Sequence, residues 1–138
     1  MKSVLVLAAT LAAIVTIAYL APSQGLSESG AKLPTRKLIE RLDIPNSDEE
    51  LRLTLVEFPA GHAIPAHRHP VAGLCYVIEG SAETQYAGED AQVVSKGGSF
   101  QDKANTTHVV FRNASSSEPL KFICAVKIKK DQEYLLPQ

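Results

Sequence analysis

From Leu51 onward the apolar residues come in short runs, and each run stops at a turn former. Leu51, Leu53 and Leu55 alternate with Arg52, Thr54 and Val56, the period of two that gives a strand one buried face. LCYVI at 74–78 stops at Glu79-Gly80, AETQY at 82–86 at Gly88, and AQVV at 91–94 at Gly97-Gly98. HVVF at 108–111 stops at Asn113, and LKFICAVKI covers 120–128. Many short strands at regular spacing predict an all-β sandwich or barrel.

Composition narrows the function classes. Lys plus Arg is 14 against 15 for Asp plus Glu, a net charge of −1, which excludes a strongly basic nucleic-acid binder. A hydrophobic fraction of 45% with 21% charged residues excludes wholesale disorder. Two cysteines can make neither a disulfide-dense scaffold nor a Cys-rich zinc module. No Ser-His-Asp or Cys-His arrangement is in evidence.

The N-terminus reads differently from the rest. Lys2 precedes an uncharged stretch from Val4 to Leu20, and Pro22-Ser23-Gln24-Gly25 follows. This is the layout of a secretory signal peptide over residues 1–25, with Ser23 and Gly25 as small residues before a cleavage point. The alternative is an uncleaved membrane anchor through residues 4–20, whose helical length of roughly 26 Å is marginal for a hydrocarbon core of about 30 Å. Either form predicts a periplasmic or secreted protein. Residues 26–50 read as a linker and N-terminal arm, in which Leu38, Ile39 and Leu42 make a weak helical stripe and DIPNSDEE an acidic turn. Residues 51–138 form the folded domain.

Three of the four histidines fall in two compact segments. In GHAIPAHRHP, His67 and His69 are two apart, so on an extended strand their imidazoles point to one face. His108 opens a later apolar strand after the turn-like Ala104-Asn105-Thr106-Thr107. If that strand lies opposite, three neutral nitrogen donors meet inside the barrel, a set that suits Zn²⁺, Fe²⁺, Ni²⁺, Mn²⁺ or a similar divalent ion. Exposed strand histidines are ordinary, and His62 reads as a loop residue without a partner.

These residues carry a family resemblance. Gly61, His67, His69 and Gly80 match the first motif of the cupins, and Gly97 or Gly98, His108 and Asn113 match the second. The chain resembles a small single-domain cupin of the type-2, quercetin-dioxygenase-like kind over roughly Arg52 to Ile128. The resemblance implies a jelly-roll β-barrel, here with a short N-terminal helical or extended segment, that binds a divalent metal through the motif histidines. It also implies oxygenase-like or isomerase-like chemistry on a small molecule and pairing into a homodimer through the outer sheets. Two departures stand out: Gly73 occupies the position of the family's metal-ligand Glu, and Lys96 the position of the Pro before Gly97.

Asp102, six residues before His108, is the carboxylate that could complete a site of His67, His69, His108 and Asp102; the other reading is an exposed strand carboxylate. Gly73 would leave space beside the metal for water or a substrate atom. If position 73 faces inward, so do Cys75 and Val77, while Leu74 and Tyr76 face out. Phe122, Cys124, Val126 and Ile128 share a second inward face. The two cysteines then form a disulfide or stay as buried free thiols, or Cys75 lines the metal pocket, with free thiols the plainest form. His62, Glu83 and Asp102 are the available bases. The competing function is a non-catalytic periplasmic module that binds a small molecule or metal, and a purely structural barrel is the third.

Overall fold

The computed structural model describes residues 33–138; the signal or anchor reading of residues 1–25 and the start of the linker lie outside them. The described part is all β. Its strands are β1 (Thr35–Asp43), β2 (Glu49–Phe58), β3 (Ala63–Ile64), β4 (His67–Arg68), β5 (Gly73–Glu79), β6 (Ser81–Tyr86), β7 (Gln92–Ser95), β8 (Ser99–Asp102), β9 (His108–Asn113), β10 (Leu120–Lys129) and β11 (Leu136–Pro137). Five of them make one sheet in the order β1-β2-β10-β5-β8. The second sheet runs β11-β4-β9-β6-β7, with β3 paired to β9. All strand pairings are antiparallel.

The two sheets bury their facing side chains against each other. The core holds Val56, Phe58, Val77, Ala82, Phe100, Phe111, Leu120 and Phe122, with Cys75 and Cys124 among them. Alternation explains the set, since side chains two apart on a strand share a face. The inward parity expected for Cys75, Val77, Phe122, Cys124, Val126 and Ile128 holds, and Leu74 and Tyr76 face out at 66% and 48% exposure. Gly80 turns β5 into β6 at φ 75°, and a side chain there would run into the backbone of Pro119. Both facts demand glycine at this motif position.

Three expectations are corrected. The stripe of Leu38, Ile39 and Leu42 is not helical: Thr35–Asp43 is extended and pairs along β2 from Thr35↔Glu57 to Asp43↔Glu50, with one irregularity between Leu38 and Glu40. Hydrogen bonding to a neighbouring strand overrides a weak helical pattern, and the irregularity shifts side-chain parity midway, which is what blurred the period of two. In β2 the buried positions include Glu50, Val56 and Phe58, while Leu51 is 45% exposed on the outer face. The cysteines are not free thiols. Cys75 and Cys124 face each other across β5 and β10 with Cα atoms 4.1 Å apart and are disulfide-bonded.

Candidate metal centre

Register brings the histidines together. His67 on β4 is the direct partner of His108 on β9, and His69, two residues on, takes the same inward side. The backbone after β4 is pinned where Asn105 N–H donates to the His69 carbonyl at 2.8 Å. All three imidazoles are buried, and one ring nitrogen from each lies within 4.8 Å of the others. The space between them is about 10 Å³, enough for one ion or water and nothing larger.

The second nitrogen of each ring is already engaged. His67 Nδ1 faces the Pro65 carbonyl at 3.0 Å, His69 Nδ1 the Tyr134 carbonyl at 3.0 Å, and His108 Nε2 the Thr84 hydroxyl at 2.7 Å. Carbonyls only accept, so His67 and His69 donate from Nδ1 and present a lone pair at Nε2. When His108 Nε2–H donates to Thr84 Oγ1, its Nδ1 lone pair turns to the centre. Among the described residues, His69 Nε2 and His108 Nδ1 are buried without any hydrogen-bond partner. Buried polar atoms are rarely left so, and outer hydrogen bonds that orient each ring are the usual setting of metal-bound imidazoles. The donor set therefore fits a divalent ion.

Burial keeps His67 and His108 neutral. It pulls His67 below the ordinary histidine range. It draws His108 down to about 3, with His67 and His69 adding to the effect. Neutral rings are the form that binds metal.

Asp102 joins the same cluster from β8. It is buried, with Oδ1 3.6 Å from His69 Nε2 and 4.0 Å from His108 Nδ1. Its cross-strand partner is Gly73, so the carboxylate comes from the strand beside the one that lacks it. Two tyrosine hydroxyls donate to it: Tyr86 to Oδ1 at 3.2 Å and Tyr134 to Oδ2 at 2.9 Å. Burial, reinforced by the negative charge of Asp102, raises both phenols above their ordinary range and keeps them protonated.

The space expected beside Gly73 is filled. A Cβ at position 73 would collide with the Tyr134 hydroxyl and crowd Val126. This corrects the reading of Gly73 as an open place for water or substrate. The other candidates stay outside the cluster. His62 packs edge-on against Phe58 with ring centroids 5.7 Å apart, and Glu83 pairs with Arg112 through Nε at 2.7 Å.

Thr84, Tyr86, Tyr134 and Arg36 belong to the site and were missed. Thr84 and Tyr86 share the buried face of β6 with Ala82, so strand parity alone would have found them. Tyr86 stacks on His108 with centroids 4.1 Å apart. Tyr134 lies in a C-terminal segment without periodicity. That segment is tied down by Arg52, which donates to the carbonyls of Gln132 at 2.8 Å and Lys129 at 3.1 Å and pairs with buried Glu50.

The model of the cupin domain family matches residues 54–126. The chain belongs to the cupin family. A search of curated protein sequences found no match. Among solved structures, this cupin is similar to an uncharacterised protein with a double-stranded β-helix domain from Klebsiella pneumoniae, with TM-score 0.58 and 21% identity over 87% of this chain and 92% of that one. The polyketide cyclase RemF from Streptomyces resistomycificus gives TM-score 0.58 and 21% identity over 81% of this chain and 75% of that one. The DMSP lyase DddQ from Ruegeria pomeroyi gives TM-score 0.55 and 21% identity over 67% of this chain, which spans 44% of the lyase. At these identities the likeness is one of fold.

Proposed function

We propose that this cupin is an exported, metal-dependent protein that acts on a small molecule, with His67, His69, His108 and Asp102 as the metal ligands. The observation that carries the reading is the pair of buried, partnerless nitrogens, His69 Nε2 and His108 Nδ1, facing Asp102 Oδ1. A divalent ion held there would act as a Lewis acid toward an oxygen of the ligand. The chain's own groups do the rest: Thr84 and two backbone carbonyls orient the rings, and Tyr86 and Tyr134 hold Asp102 by hydrogen bonds. The phenols keep their protons, so they serve as donors rather than bases. Oxygenase-like or isomerase-like chemistry is the activity the family resemblance favours, and the cyclase and lyase among its structural neighbours act, by their names, on small molecules.

A specific observation favours the alternative, a non-catalytic binding module. Tyr134 fills the place beside Gly73, and the room between the imidazoles is about 10 Å³. Metal analysis of the full chain beside His67→Ala and His108→Ala tests the metal half. One divalent ion per chain, absent from both variants, is expected; no uptake of iron, zinc, manganese or nickel by the parent would end the reading. Oxygen consumption or product formation by the loaded protein then separates enzyme from binder.

Residues 1–25 are the proposed signal peptide, or residues 4–20 an anchor, and a homodimer is proposed through the outer face of the five-stranded sheet. There Leu74, Tyr76 and Ile78 are exposed along β5, with Ala125 and Leu53 in line with Leu74 across β10 and β2, an apolar strip of the kind that marks an interaction surface. Leu74→Lys should convert a dimer to a monomer in sedimentation; a parent chain that is monomeric contradicts this part.

A further inference from the structure

Arg36 stands on edge strand β1 in register with Val56, whose side chain is buried in the core. From there it reaches the mouth of the barrel and lines two adjoining spaces. One is the narrow gap between the histidines. The other is a cavity of about 160 Å³ with Thr54, Val56, Val126 and Tyr134 in its walls. Arg36 and Cys124 line both, so the larger cavity borders the histidine cluster where Arg36 sits.

Among the described residues, no carboxylate lies within 4.0 Å of the Arg36 guanidinium. Asp102 attracts it from farther off, but the oxygens of Asp102 are taken by Tyr86 and Tyr134. Arg52, in the same cavity wall, is fully engaged by Glu50 and two carbonyls. Arg36 is exposed on edge strand β1 and lines the cavity from its rim, where its guanidinium stays charged. A charged fork at the cavity rim without a carboxylate partner is open to a bound anion through charge-assisted hydrogen bonds.

The walls specify the anion. Val56 and Val126 are apolar and buried, which suits an aliphatic body. A volume of about 160 Å³ is below the ~300 Å³ lower end of ordinary ligand pockets, so the body has only a few carbons. Glu133 also lines the cavity and Asp102 lines the adjoining gap, so a dianion would meet two opposing carboxylates. The planar fork of a guanidinium matches a carboxylate in two parallel hydrogen bonds. We propose that Arg36 and this cavity bind a short-chain monocarboxylate, its carboxylate on Arg36 beside the histidine cluster and its aliphatic body between Val56 and Val126. The inference deepens the small-molecule half of the proposed function and rests on that half alone.

Titration of the chelator-treated full chain with sodium butyrate, followed by NMR, tests it, with butyramide and inorganic phosphate as the other arms. Saturable butyrate shifts are expected, with butyramide, phosphate and the Arg36→Gln variant each weaker by about tenfold or more, the worth of one charge-assisted contact. Arg36→Lys should fall between. Equal binding of butyramide, equal or tighter binding of phosphate, or full butyrate affinity in Arg36→Gln would overturn it. So would absence of butyrate binding, whereas metal uptake by the same preparation would leave the metal reading standing. Should Arg36→Gln fail to fold, the comparison of butyrate with butyramide in the parent chain decides alone.

Discussion

The hydroxyl of Tyr134 stands where a side chain at Gly73 would have to go, and from there it donates to Asp102 Oδ2 at 2.9 Å. The glycine is thus matched to the tyrosine. Asp102, the partner of Gly73 across the sheet, brings a carboxylate to the histidines from the next strand.

Restoring the family's Glu at position 73 should therefore harm the protein. Gly73→Glu forces Tyr134 out or strains Val126, and overpacking of this kind costs about 1–3 kcal/mol. Adding Tyr134→Phe, which removes the colliding hydroxyl and keeps the ring, should recover part of that loss. Urea denaturation of the two variants reads both effects, and a Gly73→Glu chain as stable as the parent would refute the match.

Thr84 should matter to metal affinity without touching the metal. Thr84→Val keeps the shape and removes the hydroxyl that orients His108. Loss of such an outer contact lowers affinity about 10- to 100-fold, while Asp102→Asn should lower it by at least about tenfold. Chelator competition measures both.

Acid should destabilise the metal-free protein through His108. An unfolded histidine takes up its proton near pH 6.5, but His108 in the fold does so only at about 3. Between these values the unfolded chain holds the extra proton, so stability is full above pH 6.5 and falls as pH drops toward 3. His67, also lowered, adds in the same direction. Unfolding free energies measured from pH 7.5 to 4 should decline more steeply in the parent than in His108→Asn.

The Cys75–Cys124 disulfide closes a loop with a sequence separation of 49. Cross-links of this span typically contribute about 2–4 kcal/mol. The unfolded, unreduced chain should react with no thiol reagent, and Cys75→Ser with Cys124→Ser should lower the thermal midpoint.

Much of this was legible because strand parity is a strong rule. It placed Cys75, Val77, Phe122 and Cys124 inside and paired His67 with His69, while spacing before His108, not parity, made Asp102 a candidate carboxylate beside the reading of an exposed one. It failed where parity breaks or never existed. The irregularity between Leu38 and Glu40 hid β1 behind a helical pattern. The leucines of β2 carried the stronger apolar signal, yet they face outward because the barrel interior at that end is filled by Glu50 and Arg52 meeting the C-terminal segment. Tyr134 and Arg36 come from segments with no period of their own, and only the folded chain shows that they reach the histidines. Pairing of Cys75 with Cys124 needed the register of β5 against β10.

The central claim is a divalent ion held by His67, His69, His108 and Asp102, and anomalous diffraction from zinc-soaked crystals of the full chain tests it most directly. The account predicts one anomalous peak about 2.0–2.1 Å from His67 Nε2, His69 Nε2 and His108 Nδ1, with an Asp102 oxygen at about 2.0–2.2 Å. A histidine cluster without a peak, or a peak there that Asp102 does not approach, would contradict it.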